Sequence, residues 1–409
     1  MSESIFDRYP EKRKLLAEPV SGSEELLQVN GHFHTPYSFS AFSEIRQVFE
    51  MALAEKVKVL GINDFYTTDG YEEFNRLAKE YQIFPLFNIE FMALQKDLQA
   101  AGVRVNDPNN PGRTYFSGKG LKYPVMLNAE MMGKLLQVQN ESNRQTGEMI
   151  EKLNRWLKDI YEDFSFSFDI MKAKYAKNLL RERHISKALR ETVAEKYPSE
   201  ENQIAVWEKI FSGKAPKSEV ADFAGLENEI RGNLLKSGGK AFVPEDDKAF
   251  LSLEQVIELI IHAGGIPCYP VLLDNPKGEF TDFEGDYQQL YESLIAKKVY
   301  SLELIPGRNN PGIMEEFVNY FNEKGFLITF GTEHNTPQLD PITVFGGDGK
   351  ELSDPMKKIG YEGACVIAAH QYLLAKEKEG FLDASGKAKL ERRDEFVQLG
   401  NAVIKNFVE

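Results

Sequence analysis

The chain has little cysteine: Cys268 and Cys365 are the only two in 409 residues, and no Cys-x-x-Cys spacing occurs. A disulfide framework is excluded, and both cysteines read as small buried hydrophobes. No stretch approaches about 18 apolar residues, and the opening Met1–Arg8 lacks a hydrophobic signal core, so the sequence reads as a cytoplasmic protein with no membrane partner. Positive charge is in deficit. The 49 basic residues against 63 acidic ones leave a net charge of −14, which argues against nucleic acid as the main partner. Glycine-rich nucleotide loops are missing too. Gly112–Gly120 places five residues between Gly112 and Gly118, one more than a P-loop tolerates, and Gly120 stands where Ser or Thr would hold magnesium.

What is present is a chain long enough, at 42% hydrophobic residues, to bury one large core or two smaller ones. Its most informative feature is His32–Phe33–His34 at the end of an apolar run beginning at Leu26. Alternation along a strand sends residues i and i+2 to one face, so both imidazoles can converge on a point at the strand's carboxyl end, as metal ligands must. The alternative is a pair of unliganded strand-end histidines.

Strand and helix patterns then alternate. Ser43–Lys56 sets Ile45, Val48, Phe49, Ala52 and Leu53 at helical spacing, and a strand follows over Val57–Asp64. Tyr71–Tyr81 is a helix and Ile83–Glu90 a third strand. Downstream, Ser252 and Gln255 form a capping box, Gly264–Gly265 stop that helix, and Ile266–Leu273 is a strand. Helices over Tyr287–Lys298 and Gly312–Lys324 lead to strands over Tyr300–Ile305 and Phe326–Gly331. Such repetition means a parallel sheet covered on both sides. His32, His34, Asp64, Glu90, Glu333 and His334 all fall at strand carboxyl ends, where barrel enzymes assemble their sites, so a barrel fits better than an open sheet. Between Asn128 and Gly239 the pattern is helical without strands, which reads as an insertion capping the site, with a separate partner-binding domain as the alternative. The expected division is residues 1–128 as the first part of the barrel, 129–241 as the insertion and 242–409 as the second part.

His32–Phe–His34–Thr35–Pro–Tyr–Ser38, Gly61–Ile–Asn–Asp64, Asn88–Ile–Glu90, Arg183–His184–Ile–Ser–Lys–Ala–Leu189, Ile261–His262–Ala–Gly–Gly–Ile–Pro–Cys–Tyr269–Pro270 and Gly331–Thr332–Glu333 resemble, in order, the signatures of the PHP superfamily, the polymerase and histidinol phosphatase phosphoesterases. The resemblance implies a distorted (β/α)7 TIM-like barrel of the α/β class with a helical insertion after the third strand. It also implies a metal-activated water acting on a small anionic substrate such as a nucleotide or sugar phosphate. One family metal site maps onto His32, His34 and Glu90, with Glu333 as the fourth ligand if it stands in for the family's late Asp. The other two are stripped: Ser40, Phe65, Tyr269 and Asn335 stand where histidines are expected. The expectation is one divalent transition metal per chain, Zn²⁺, Mn²⁺ or Fe²⁺, because mixed nitrogen and oxygen donors suit borderline ions. Loss of the metal pair keeps open a hydrolase or lyase acting on a non-phosphate substrate, or a non-catalytic binding module.

The remaining assignments are to single residues. Asp64 is expected to orient a histidine or shuttle a proton, His334 to replace a lost ligand or act as acid or base, and Tyr269 to donate its hydroxyl to a substrate oxygen. Arg183 and His184, at the start of a helix in the insertion, suit an anion, as do Arg113 and Lys119 if their loop closes over the site, although helix capping and a solvated loop explain the same residues. His262 and His370 read as structural.

Overall fold

A computed structural model describes residues 3–17, 26–161, 163–275, 278–376 and 379–409. Seven strands stand in chain order around a nearly closed barrel: β1 (Gln28–Phe33), β2 (Val57–Phe65), β3 (Phe84–Leu94), β4 (Arg113–Lys119), β5 (Ile266–Pro270), β6 (Ser301–Leu304) and β7 (Leu327–Phe330). β1–β2–β3 and β5–β6–β7 pair in parallel, while β4 runs antiparallel to both neighbours. The ring is closed next to the histidine pair. His34 N–H donates to the Glu333 carbonyl at 2.8 Å, and the Thr332 and Glu333 N–H groups both donate to the His32 carbonyl, at 3.0 and 2.9 Å. Only glycine permits so near an approach at position 331, since a Cβ there would lie 2.4 Å from that of His32.

The reversed strand corrects the sequence reading, in which Arg113–Lys119 is loop. Its signal is a short alternation, with Thr114 and Phe116 buried and Arg113 and Tyr115 half-buried, too brief to stand out beside the glycines that flank it. Because β4 pairs Arg113–Gly118 with Leu94–Ile89, β3 continues four residues past Glu90 instead of ending there. The helical segment therefore follows the fourth strand, not the third.

Among the helices, α1 (Lys12–Ala17) and α4 (Lys96–Ala100) are short, whereas α2 (Ile45–Ala54) and α3 (Tyr71–Tyr81) cover the first three strands. α2 buries Ile45, Val48, Phe49 and Ala52 at the expected spacing and turns Leu53 to solvent. α5 (Ala129–Lys158) begins where the Asn128 side chain accepts from Met131 N–H. Its first turns, through Met131, Leu135 and Val138, pack on the barrel. Its last turns, through Met149, Ile150, Leu153 and Leu157, enter a second core with α6 (Phe168–Tyr175), α7 (Glu182–Lys196), α8 (Glu200–Ile210) and α9 (Phe223–Ile230), centred on Trp207 and Leu189. α10 (Leu253–His262) starts at the Ser252–Gln255 capping box. α11 (Tyr287–Ala296) and α12 (Pro311–Glu323) lie against the second half of the barrel.

α13 (Asp354–Lys376) and α14 (Arg393–Val408) close the amino end of the barrel, where Ala364, Cys365 and Ile367 meet Val59, Phe84, Ile266 and Leu327 from strand starts. Gln371 fixes the contact by accepting from Phe87 N–H at 2.9 Å and donating to the Pro85 carbonyl at 3.1 Å. The open end is thus the one bearing the histidine pair. No described helix is long and apolar enough to cross a membrane.

Candidate metal centre

β1 delivers His32 to the barrel interior and His34 just beyond its end, and β3 brings Glu90 opposite them. All three are buried, and their donor atoms lie within 4.8 Å of one another, the one such group of three or more among the described residues. His34 Nε2 is 3.2 Å from Glu90 Oε2 and 3.4 Å from His32 Nε2.

Both rings are oriented from behind. His32 Nδ1 donates to Glu303 Oε2 at 2.8 Å. His34 Nδ1 faces Ser38 Oγ at 3.3 Å, and Ser38 donates onward to Asp64 Oδ1 at 2.7 Å. A ring that donates through Nδ1 carries a lone pair on Nε2, so two lone pairs point at each other beside a carboxylate. Neutral imidazoles cannot satisfy that arrangement, and a cation can. Asn63 Nδ2 lies 3.2 and 3.0 Å from the two nitrogens of His32; an atom so near both sits over the ring, in line with neither lone pair. The donor set therefore fits a divalent ion, and two histidines with one carboxylate leave room for water or substrate, as catalytic sites do.

Charge is organised around this point. Burial favours neutral Glu303, but Lys119 and His32 outweigh it and hold the carboxyl far below its usual range. Burial likewise opposes charge on Glu333, overcome by Arg308, His32 and His34. Burial raises the Asp64 carboxyl, partly offset by its bonds to Thr35 and Ser38 and by the His34 charge. Burial would lower His34, yet the Glu90 bond and the surrounding carboxylates push it above the ordinary imidazole value.

Several expected site residues are engaged by other partners. Glu333 reaches the mouth on a turn in which it and His334 both have positive φ, 65° and 48°, but its carboxylate is taken by Arg308 and Asn335 and lies outside the three-residue group. His334 is spent on structure: Nδ1 meets Thr332 Oγ1 at 2.6 Å, Nε2 meets the Asp340 carbonyl at 2.8 Å, and the ring stacks on Phe42. Tyr269 is buried with its hydroxyl donating to Glu284 at 2.8 Å, so it offers nothing to a substrate. Lys119 is not on a closing loop but wholly buried in the barrel, paired with Glu303. His184 accepts the Arg181 N–H at Nδ1 as part of the α7 cap; burial and neighbouring cations push it down to about 3, leaving a neutral ring unsuited to an anion. Arg113 pairs with Glu245 at 2.5 Å and lies over Phe250.

A cavity of about 250 Å³ opens over His32 and Glu90, bordered also by Glu303, Glu333, Arg308 and Arg181. It adjoins a cleft of about 840 Å³ under the helical segment, where Arg113 pairs with Glu245, Arg231 and Lys236 pair with Glu182, and Arg181 and Arg183 make no ion pair among the described residues. Burial together with Arg231 pushes the Arg183 guanidinium down to about 10. Glu303, Lys119, Arg308, Arg181 and Arg231 carry no local motif. The one legible sign was an acid inside the apolar strand Ser301–Leu304, where a charge requires a buried partner.

No protein-family model matches the chain, and no curated protein sequence matches it. Among solved structures, a proposed metal-dependent phosphoesterase from Bifidobacterium adolescentis is similar, with 18% identity and a TM-score of 0.53 over 82% of this chain and 96% of that one. An amidohydrolase from Chromobacterium violaceum, solved with sulfate and without metal, shows 15% identity and a TM-score of 0.48 over 81% of this chain and 96% of that one. At such identities the likeness to the first speaks for the fold.

Proposed function

We propose that the chain is a metal-dependent hydrolase of the PHP type, a phosphoesterase acting on a small anionic substrate. The observation that carries the reading is the convergence of His32, His34 and Glu90, each histidine fixed from behind, at the open end of the barrel. A divalent cation held there would polarise a substrate oxygen and lower the pKa of water to about 7. This chain's residues do the rest. Glu303 holds His32 in the tautomer that exposes Nε2, and the Ser38–Asp64 pair does so for His34. Arg308, steadied by Glu333, presents positive charge at the mouth where negative charge develops, and Arg181, lying over Phe39 and Phe65, stands at the passage to the cleft. Arg181 and Arg183, lining the cleft without an ion pair among the described residues, support an anionic substrate in a chain whose net charge is −14. The order of the PHP motifs and the fold shared with the Bifidobacterium protein support the family reading.

The test is a panel of phosphomonoesters, phosphodiesters, lactones and amides assayed as purified, after chelation and after return of Zn²⁺, Mn²⁺ or Fe²⁺. Phosphoester turnover abolished by chelation and restored by metal is expected. Turnover confined to lactones or amides, or indifferent to chelation, would overturn the reading.

A further inference from the structure

Lys119 is the anomaly of the barrel interior. Its side chain has no solvent exposure, in a residue type almost never buried without a partner, and desolvating an ammonium costs several kcal/mol. A wholly buried ammonium needs a carboxylate partner.

That partner is Glu303. Glu303 lines the mouth cavity and takes three donors: His32 Nδ1, Ser117 Oγ and Lys119 Nζ. Asn63 Oδ1 lies 3.4 Å from the same ammonium. Four carboxylates surround the centre: Asp64, Glu90 and Glu303 are buried, and Glu333 is half-buried at the mouth. Two fixed cations answer them, with Arg308 on Glu333 and Lys119 on Glu303. Each cation answers one carboxylate, which leaves Asp64 and Glu90 without a lysine or arginine partner among the described residues, next to the two histidines. Without Lys119, Glu303 would face the cavity as a free carboxylate beside His32, a hard oxygen donor ready for another cation.

We propose that the Lys119 ammonium is a built-in counter-cation that occupies the charge position of a second metal, leaving Glu303 free only to orient His32 and limiting the centre to one divalent ion. Lys119 is thus a positioning and specificity residue. The inference rests on the metal reading above, but it is measured as a difference between variant and wild type.

The experiment is Mn²⁺ titration of the full-length protein, read by equilibrium dialysis and by electron paramagnetic resonance, where two nearby Mn²⁺ ions give a spin-coupled spectrum that one ion cannot. Lys119→Met should take up one more equivalent than wild type and show the coupled spectrum. Lys119→Arg should keep the wild-type count, and Lys119→Met combined with Glu303→Gln should lose the extra equivalent. Should the methionine variant not fold, Lys119→Gln, which removes the charge but still donates to Glu303, carries the same expectation. An unchanged count and an uncoupled spectrum in the folded charge-removing variant would overturn the proposal. If wild type holds no metal, the functional reading fails, while a gained equivalent in the variant would still support the role of Lys119.

Discussion

Tyr269 and Glu333 are the residues at which sequence and structure part most clearly. The motif order draws both toward the chemistry, since Tyr269 stands where a histidine is expected and Glu333 where an acid is. In the fold, Tyr269 serves Glu284, and Tyr269→Phe should cost about 1–3 kcal/mol in denaturant unfolding by removing a buried hydrogen bond. The same substitution should leave kcat/KM unchanged, and a fall in turnover without loss of stability would return Tyr269 to the site. Glu333 is held by Arg308 and Asn335, so Glu333→Gln should keep the metal and lower kcat, whereas Glu90→Gln should lose the metal. Metal analysis of both variants separates the two roles. His32, His34 and Glu90 were legible because strand alternation and motif spacing act locally. Glu303 and Arg308 were not, and Lys119 was legible only as a loop cation for an anion, because the contacts of these residues join distant segments that no spacing encodes.

The segment after β5 shows how an element can carry a pH dependence of its own. Leu273 has a φ of +62°, and the turn is pinned by Glu284, whose oxygens accept from the Leu272 and Leu273 N–H groups at 3.1 and 2.6 Å. Burial pushes the Glu284 carboxyl up to about 7 against these donors and Tyr269. A carboxyl raised on folding contributes stability that is complete below its unfolded value of about 4.3 and is lost as pH rises through 7. The protein should therefore be less stable at pH 8 than at pH 4.5 by an amount on the order of 3 kcal/mol from this group, and Glu284→Gln should abolish that fall. Thermal unfolding of both proteins across that range measures it. Most elements were legible in the sequence, α3 and the α10 capping box to the residue, because helical periodicity and caps are local signals. β4 was not, because a reversed strand inside a parallel barrel is fixed by its neighbours on either side.

At the scale of the molecule, three packing units divide the work. α13 and α14 seal the amino end of the barrel, the barrel holds the histidines and carboxylates, and the helical segment from α5 to α9 adds an arginine wall over the open end. If that wall binds the anionic part of a substrate, Arg183→Ala should raise KM about tenfold or more with a smaller change in kcat, since it removes binding made equally in ground and transition states. Steady-state kinetics on a phosphoester that is turned over decides this, and an unchanged KM would exclude the wall from binding. On the proposed reading the barrel holds one divalent ion through His32, His34 and Glu90. Metal content by mass spectrometry, measured beside thermal unfolding for wild type and His34→Ala, tests it most directly. About one equivalent of transition metal is expected in wild type, with bound metal lost and melting temperature lowered together in the variant. Two or three equivalents in wild type, all retained by His34→Ala, would contradict it.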